Sequence, residues 1–349
     1  MTGAVLGLEG ITILAAATFL VLIVVVVWWL DRYDREPLGM VAAAFGWGAL
    51  AAPALATVTE TIALGILGPH YGRLLGGTLV AIGIGPLAEE GWKAVGLLAV
   101  VALSREFDNP TDGLVYGTAV GLGFAMTENL LYELSAAAAG DLHRLLTLVL
   151  GRTLITAGIH ALCSAALGGM LGFAVLAGGW VRRFGLVLTG LVGAVALHGA
   201  WNTAVTAAVV ARDPRGTAVM VATVMALYLC YIVLLAVLLH GEHRILQVQL
   251  AEEVELGVLP GWVGEVLPFY RRRIRSTWWP ERRERTVIAR LVTRLAFRKH
   301  ALRHLPEDEA RLAGLEVVRL RQRLRSVLAF SGTAEEQRTV DTQEAGSEP

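Results

Sequence analysis

Long apolar runs constrain the fold of this chain more than any other feature of its sequence. Apolar stretches of about 20 residues or more, a length that crosses the hydrocarbon core of a bilayer, follow one another from residue 10 to residue 240. Short polar or glycine-containing connections separate them. The pattern predicts an all-α, polytopic transmembrane bundle of about seven helices. The predicted spans are 10–30, 38–67, 75–103, 112–137, 148–179, 183–211 and 217–240.

The distribution of charge divides the chain into two parts. Hydrophobic residues make up 55% of the sequence and charged residues 17%, and most of the arginines follow His240. The first two thirds is therefore more apolar than the core of a soluble protein requires. We expect a transmembrane bundle over 1–241, a basic amphipathic helical tail over 242–331, and a disordered end over 332–349.

The basic tail also predicts how the chain lies in the membrane. The positive-inside rule favours a multi-pass protein of the inner (plasma) membrane, with its N-terminus outside and its C-terminus in the cytoplasm. Anionic lipid is the expected partner of the tail, and the Trp278-Trp279-Pro280 segment is typical of an interfacial anchor rather than a nucleic-acid surface. The clustered arginines are Arg271, Arg272, Arg273, Arg275, Arg282, Arg283 and Arg285.

Glycines are abundant within the predicted spans. Small residues at helical spacing let two helices approach closely, so these glycines predict a tightly packed bundle. They include Gly117, Gly121 and Gly123 in the fourth span and Gly168, Gly169 and Gly172 in the fifth.

Two adjacent carboxylates lie in the middle of the third predicted span. A charged side chain at the bilayer centre costs roughly 2.5–3.5 kcal/mol on insertion scales, so Glu89 and Glu90 need a partner or a function. Lys93 lies on the same helical face and can neutralise one of them. The other is then a candidate general base. The alternative is a structural ion pair that holds helices together.

Three further spans carry polar groups at a similar depth. Phe124 lies one turn before Glu128, which is followed by Asn129; His160 is isolated; and His198 lies one turn before Asn202. Each side chain could instead form a hydrogen bond between helices, and His160 could be a core residue whose ring nitrogens both have hydrogen-bond partners. Their joint occurrence favours one buried catalytic site. The predicted catalytic residues are Glu89, Glu90, Glu128, His160, His198 and Asn202, supported by Lys93, Phe124 and Asn129.

The order of these motifs closely resembles the PrsW family of bacterial intramembrane proteases. Glu-Glu-x-x-Lys, Phe-x-x-x-Glu-Asn, an isolated His and His-x-x-x-Asn are combined with two loop signatures, and the match runs from Asp31 to Asn202. Each motif is loose by itself, but their order is specific. The loop signatures are Asp31-Arg32-Tyr33-Asp34-Arg35-Glu36-Pro37 and Arg105-Glu106-Phe107-Asp108-Asn109-Pro110-Thr111-Asp112-Gly113-Leu114-Val115-Tyr116-Gly117.

This resemblance implies cleavage of a membrane-anchored protein near or within its membrane segment. The best-known role of the family is site-1 cleavage of an anti-sigma factor, so a single-span membrane protein is the expected substrate. The family looks related to the superfamily of CAAX prenyl proteases and bacteriocin-processing enzymes. In that superfamily the second motif usually ends in histidine, where this chain has Glu128.

Two mechanisms are compatible with the residue spacing. In the first, Glu89 or Glu90 activates water with help from His160, while His198 and Asn202 stabilise the oxyanion without a metal. In the second, Glu128, His160 and His198 hold a divalent metal such as zinc, and Glu89 is the general base. The sequence has no His-Glu-x-x-His motif, which favours the metal-free mechanism modestly.

Two other classes of function are compatible with buried carboxylates and histidines in a membrane. A proton-coupled secondary transporter would use them as a relay, although the sequence shows no internal repeat or paired broken helices of the kind that such folds use. A non-catalytic membrane scaffold would tolerate replacement of Glu90 and His198.

Overall fold

The computed structural model is helical, and the residues that it describes contain no β-strand. They are 3–33, 35–104, 107–211, 214–275, 278–279, 281–303, 305 and 307–345. Asp34, Arg105 and Glu106 of the loop signatures, and Pro280 after the paired tryptophans, lie outside them. The chain forms two compact units, Met1–Asp31 with Arg35–Leu238, and Arg32–Asp34 with Leu239–Pro349. The all-α class predicted from the sequence is confirmed.

Over the residues that the structure describes, the first unit contains eight α-helices and the first part of a ninth, with three short π-helical segments between them. The π-helical segments are Trp47–Ala51, Val80–Ile84 and Arg152–Thr156. The α-helices are α1 Gly3–Leu30, α2 Leu38–Gly46, α3 Ala52–Leu79, α4 Gly85–Leu103, α5 Pro110–Ala138, α6 Leu142–Gly151, α7 Ala157–Leu176, α8 Trp180–Ala211 and α9 Pro214–Glu255.

Within the described part of the chain, five helical stretches are long and apolar enough to cross a membrane. They are Glu9–Leu30, Leu38–Leu103, Leu142–Leu176, Trp180–Ala208 and Arg215–Glu255. The second contains 66 residues, which as a straight helix would extend to ~99 Å, about three times the hydrocarbon core. Instead it reverses at Gly72, whose φ of 77° lies in the left-handed region. This reversal falls where the sequence predicted a connection, and the count of seven spans stays a prediction.

Helix α5 is the buried centre of the first unit. Every residue from Pro110 to Ala125 is buried. The helix begins at a capping box, in which the Asn109 side chain accepts from the backbone of Asp112 and the Asp112 side chain accepts from the backbone of Asn109. Because its neighbours cover it, α5 can carry polar side chains at membrane depth without exposing them to lipid.

Glycine brings α5 into backbone contact with α7. A Cβ added at Gly117 would lie 2.2 Å from the Ser164 carbonyl oxygen, and one added at Gly121 would lie 2.3 Å from the His160 carbonyl oxygen. No side chain fits at those distances, so the glycines permit the close approach. They also determine the position of His160 along the axis of α5.

Two π-helical segments lead directly into the helices that carry the predicted site. Val80–Ile84 precedes α4, which carries Glu89 and Glu90, and Arg152–Thr156 precedes α7, which carries His160. A π-helical turn adds a residue to the helix, so it rotates the later turns of the helix relative to the earlier ones. Residue spacing alone does not predict these rotations.

The second unit has its own apolar core. It contains the end of α9 together with α10 Gly261–Val266, α11 Tyr270–Arg273, α12 Arg282–Leu302 and α13 Glu307–Ala345. Leu250, Leu267 and Leu295 are fully buried in it. The Glu253 carboxylate pairs with Lys299 at 2.7 Å and with Arg321 at 2.6 Å.

Two details of the second unit bear on the predicted tail. Arg273, one of the clustered arginines, donates to the Tyr33 carbonyl oxygen and to the Thr293 hydroxyl within the unit. Helix α13 is assigned to Ala345, and the disorder predicted for 332–349 stays a prediction. The domain boundaries at 241 and 331 stay predictions.

We predict that Gly117→Ala lowers the free energy of unfolding by about 1–3 kcal/mol, because the added methyl group forces α5 and α7 apart. Gly193→Ala on α8 is the matched control, since a Cβ there meets no atom within 4 Å. Removing a flexible glycine should leave stability equal or raise it by up to about 1 kcal/mol. Unfolding in mixed detergent micelles measures both, and equal stabilities would contradict the close packing of α5 on α7 as the cause.

Candidate active site

A fully buried ion pair forms the base of the site. The side chains of Glu90 and Lys93 on α4 are both 0% exposed, and the Lys93 Nζ lies 2.7 Å from Glu90 Oε1. The same ammonium group lies 4.0 Å from the ring centre of Phe124 on α5. The cation is therefore held by a carboxylate and by an aromatic face. The predicted supporting roles of Lys93 and Phe124 correspond to these contacts.

His198 on α8 is oriented by Glu90. Its Nδ1 lies 2.8 Å from Glu90 Oε1. An ionised carboxylate only accepts hydrogen bonds, so Nδ1 carries a proton, and in the neutral imidazole Nε2 then keeps its lone pair. That Nε2 lies 3.8 Å from Glu89 Oε2. The Glu90 carboxylate thus directs the free nitrogen of His198 toward Glu89.

His160 on α7 is oriented in the same way by two other residues. Its Nδ1 lies 3.0 Å from the Lys93 ammonium, which only donates, so Nδ1 is the acceptor. Its Nε2 lies 2.8 Å from Glu128 Oε2, an ion-pair distance, on the side of the ring away from Lys93. The Nδ1 atom also lies 3.8 Å from Glu89 Oε2. Both histidines therefore point an unprotonated nitrogen toward Glu89.

Glu89 lies where these groups converge. Its Oε2 is 3.7 Å from the Lys93 Nζ and has no hydrogen-bond partner among the described residues. Its side chain is 13% exposed, whereas Glu90 is fully buried and both histidines are 2% exposed. Glu89 is thus the more exposed carboxylate of the pair.

Arg152 extends the site on the side of Glu128. Its guanidinium lies 2.8 Å from Glu128 Oε1 and donates at 3.0 Å to Asn129 Oδ1. It also stacks 4.0 Å from the ring centre of Tyr132. Arg152 precedes His160 by eight residues, about two helical turns, and was not among the predicted site residues. A cation two turns before an intramembrane histidine is the sequence feature that could have identified it.

Five of the six predicted catalytic residues lie together in the structure. The sixth, Asn202, makes its contact outside that group. The Asn202 side chain donates to the Ala81 carbonyl oxygen at 2.9 Å. This contact joins α8 to the π-helical segment before α4. It is a hydrogen bond between helices, the alternative that the sequence left open for Asn202. Its role as an oxyanion donor stays a prediction. The five that meet are Glu89, Glu90, Glu128, His160 and His198.

The donor atoms of the site can hold a divalent metal. One atom each from Glu89, His160 and His198 lies within 4.8 Å of the others. Zinc bonds of 2.0–2.1 Å place tetrahedral ligands about 3.3–3.4 Å apart, so the 3.8 Å separations need to contract by a few tenths of an ångström. The carboxylates of Glu90 and Glu128 hold the opposite histidine nitrogens, as is usual behind metal ligands.

Comparison with known proteins relates the sequence of this chain to one family of proteases. A family model described as "PrsW family intramembrane metalloprotease" matches residues 36–239. Protease PrsW of Bacillus subtilis (strain 168) is 30% identical over 177 residues, which are 51% of this chain and 74% of that protein. Protease PrsW of Geobacillus kaustophilus (strain HTA426) is 31% identical over 147 residues, 42% of this chain and 59% of the relative.

A third relative, Protease PrsW of Clostridioides difficile (strain 630), is 26% identical over 174 residues, 49% of this chain and 69% of that protein. No solved structure matches. Fold, site and relatives together define a membrane-embedded protease. The chain belongs to the PrsW family. The family and the proteolytic activity predicted from the sequence are confirmed.

We predict that Lys93→Met destabilises the bundle by about 3–5 kcal/mol, because it leaves the buried Glu90 carboxylate without a cation. Adding Glu90→Gln to that variant should restore part of the loss. The coupling energy is obtained from a double-mutant cycle measured by unfolding in detergent. Additive effects of the two substitutions would show that the pair does not act as a unit.

Proposed function

We propose that this chain hydrolyses a peptide bond of a single-span membrane protein at the cluster of Glu89, Glu90, Glu128, His160 and His198. The convergence of both histidines on Glu89 carries the proposal. Their unprotonated nitrogens each lie 3.8 Å from Glu89 Oε2, which belongs to the more exposed carboxylate of the pair. A partly exposed carboxylate held in this way can contact water and a substrate carbonyl group.

We assign Glu90 and Glu128 as positioning residues. Glu90 accepts from the outer nitrogen of His198, and Glu128 lies 2.8 Å from the outer nitrogen of His160, so each carboxylate orients one ring relative to Glu89. Lys93 neutralises Glu90, and Arg152 neutralises Glu128. The adjacent carboxylates thus have different roles, because neighbouring residues on a helix point about 100° apart.

The orientation of the histidines supports the metal-dependent mechanism. When both rings are neutral, neither inward nitrogen carries a proton, so neither can donate to an oxyanion, whereas their lone pairs suit a cation. Glu89, His160 and His198 would hold a divalent metal, which when bound supplies a more acidic water and a polarised carbonyl group. This ligand set differs from the predicted one, because Glu128 holds the outer nitrogen of His160. Lys93 must release His160 Nδ1 before that atom can bind a metal.

The proposal extends to the membrane and to the substrate. We infer a multi-pass protein of the plasma membrane with its C-terminus in the cytoplasm, supported by exposed arginines at 271, 272 and 275 that suit anionic lipid. The motif resemblance supports site-1 cleavage of an anti-sigma factor. An assay should therefore begin with single-span anti-sigma factors in vesicles.

We predict that Glu89→Gln lowers the turnover of a single-span substrate by about 10²–10⁴-fold while the bundle remains folded, because the amide keeps the volume but neither accepts a proton nor supplies the charged oxygen of a metal ligand. Glu255→Gln is the matched control, an exposed carboxylate at the end of α9 in the second unit. Cleavage by purified protein in vesicles measures both. Wild-type turnover by Glu89→Gln would refute the assignment.

We predict that the purified protein binds about one zinc ion per chain and that Glu128→Gln weakens binding about 10–100-fold through the loss of His160 orientation. Elemental analysis and competition with a chelator measure this. Asn202→Ala should bind zinc like the wild type, because Asn202 contacts the backbone of Ala81. Full cleavage by metal-free protein in chelator would establish the glutamate-dependent, metal-free mechanism instead.

A further inference from the structure

A hydrogen bond from α9 reaches the π-helical segment Arg152–Thr156, within the first unit. We propose that Tyr228 on α9 is a positioning residue of the candidate site. Its hydroxyl holds this segment in the conformation that places Arg152 and His160 beside Glu128. The inference rests on the proposed function for the reaction that these groups serve. It adds a residue that lies outside the predicted site and beyond the last of its motifs.

The Tyr228 hydroxyl donates to backbone carbonyl oxygens of this segment. It lies 2.8 Å from the Ile155 oxygen and 3.1 Å from the Leu154 oxygen, so its one proton is shared between them. Gly158 on α7 leaves room for the hydroxyl, since a Cβ at that position would overlap it. The contact therefore depends on a tyrosine in one helix and on a glycine in the other.

A π-helical turn creates a need for such a donor. At the end of this segment the Ala157 N–H donates to the Arg152 carbonyl oxygen, five residues earlier rather than four. A step of five in place of four passes over one carbonyl group of the helix. A carbonyl group that is removed from water and has no donor is costly, so a side chain from a neighbouring helix stabilises the turn.

The other two π-helical segments that the structure describes accept hydrogen bonds of the same kind. Asn202 on α8 donates to the Ala81 carbonyl oxygen of one at 2.9 Å. Thr127 on α5 donates to the Ala49 carbonyl oxygen of the other. In each case the donor belongs to a different helix. The recurrence indicates that these side chains support the π-helical turns, so Tyr228 does more than attach α9 to the bundle.

The segment that Tyr228 contacts is the one of the three that contains a residue of the site. Arg152, its first residue, lies 2.8 Å from Glu128 Oε1 and donates to Asn129 Oδ1 at 3.0 Å. His160 follows the segment by one helical turn, and its Nε2 lies 2.8 Å from Glu128 Oε2. Glu128 is therefore in contact with one residue at the start of the π-helical turn and with another after its end.

The π-helical turn determines whether Arg152 and His160 lie on one face of the helix. Eight residues separate them, and in a regular α-helix two side chains at that spacing point about 80° apart. The extra residue of a π-helical turn makes these eight residues rotate like about seven, so the two side chains point only about 20° apart. Loss of the turn would therefore rotate one of them away from Glu128.

The first test removes one hydroxyl group. We expect Tyr228→Phe to lower kcat about tenfold with KM changed less than about twofold, the low end of what contacts behind reacting groups contribute. Tyr231→Phe is the matched control, since this tyrosine lies one turn away on α9 and its hydroxyl is 2.8 Å from Thr118 Oγ1 on α5. We expect the control to keep kcat within about twofold of the wild type. Equal kcat in folded Tyr228→Phe and Tyr231→Phe overturns the proposal.

The second test observes the His160 ring without measuring activity. Nitrogen NMR of metal-free protein with isotope-labelled histidine records the ring nitrogens, and the His160 signals are those lost in His160→Gln. The signals depend on which nitrogen carries a proton and on its hydrogen bonds. At fixed pH, Tyr228→Phe should shift them and Tyr231→Phe should not. Unchanged His160 signals in Tyr228→Phe overturn the proposal.

A third variant keeps the hydroxyl but moves it. Gly158→Ala pushes the Tyr228 ring away from the carbonyl groups, so it should lower kcat and shift the His160 signals as Tyr228→Phe does. Gly151→Ala is its control, because a Cβ there meets no atom within 4 Å. If Tyr228→Phe does not fold, this pair decides. Normal kcat in folded Gly158→Ala then overturns the proposal.

The proposed function fails separately, when Glu89→Gln keeps the turnover of the wild type. In that case the His160 signals still test the contact of Tyr228 with the π-helical segment. Loss of turnover in Glu89→Gln, combined with normal kcat and unchanged His160 signals in Tyr228→Phe, would keep the protease site and overturn the role of Tyr228.

Discussion

The buried ion pair between Glu90 and Lys93 is the interaction on which the site depends. Neither side chain touches solvent, so each charge must be compensated within the protein. Each therefore recruits further partners: Glu90 accepts from His198, and Lys93 contacts His160 and Phe124. One ion pair on α4 thus sets the orientation of both histidines. Replacing one partner disturbs α4, α5, α7 and α8 together.

Backbone packing determines whether those partners can meet. His160 reaches Lys93 and Glu128 only because α7 lies against α5 at Gly121, where the His160 carbonyl oxygen occupies the place of a side chain. In lipid the apolar faces gain little from leaving the solvent, so small residues at close contacts supply much of the helix association. The charged cluster therefore depends on the glycines, since closely packed helices exclude water and lipid from the ion pairs.

The sequence predicted which polar residues belong together better than it predicted how they pair. Intramembrane carboxylates and histidines at similar depth are costly, so Glu89, Glu128, His160 and His198 were readily identified. The pairing depends on helix rotation, and three π-helical segments alter that rotation without a clear signal in residue spacing. Arg152 lies inside one of them. Asn202 sits one turn from His198, yet it bonds to another segment of this type.

The charges of the cluster do not balance by themselves. Glu89, Glu90 and Glu128 bring three carboxylates together, whereas Lys93 and Arg152 bring only two cations. With neutral histidines, the cluster as a whole has one excess negative charge when every carboxylate is ionised. In a low-dielectric site that excess is costly, so the cluster favours either a proton or a bound cation beside Glu89. The two inward-facing histidine nitrogens add lone pairs at the same place, which suits a metal ion better than a proton alone.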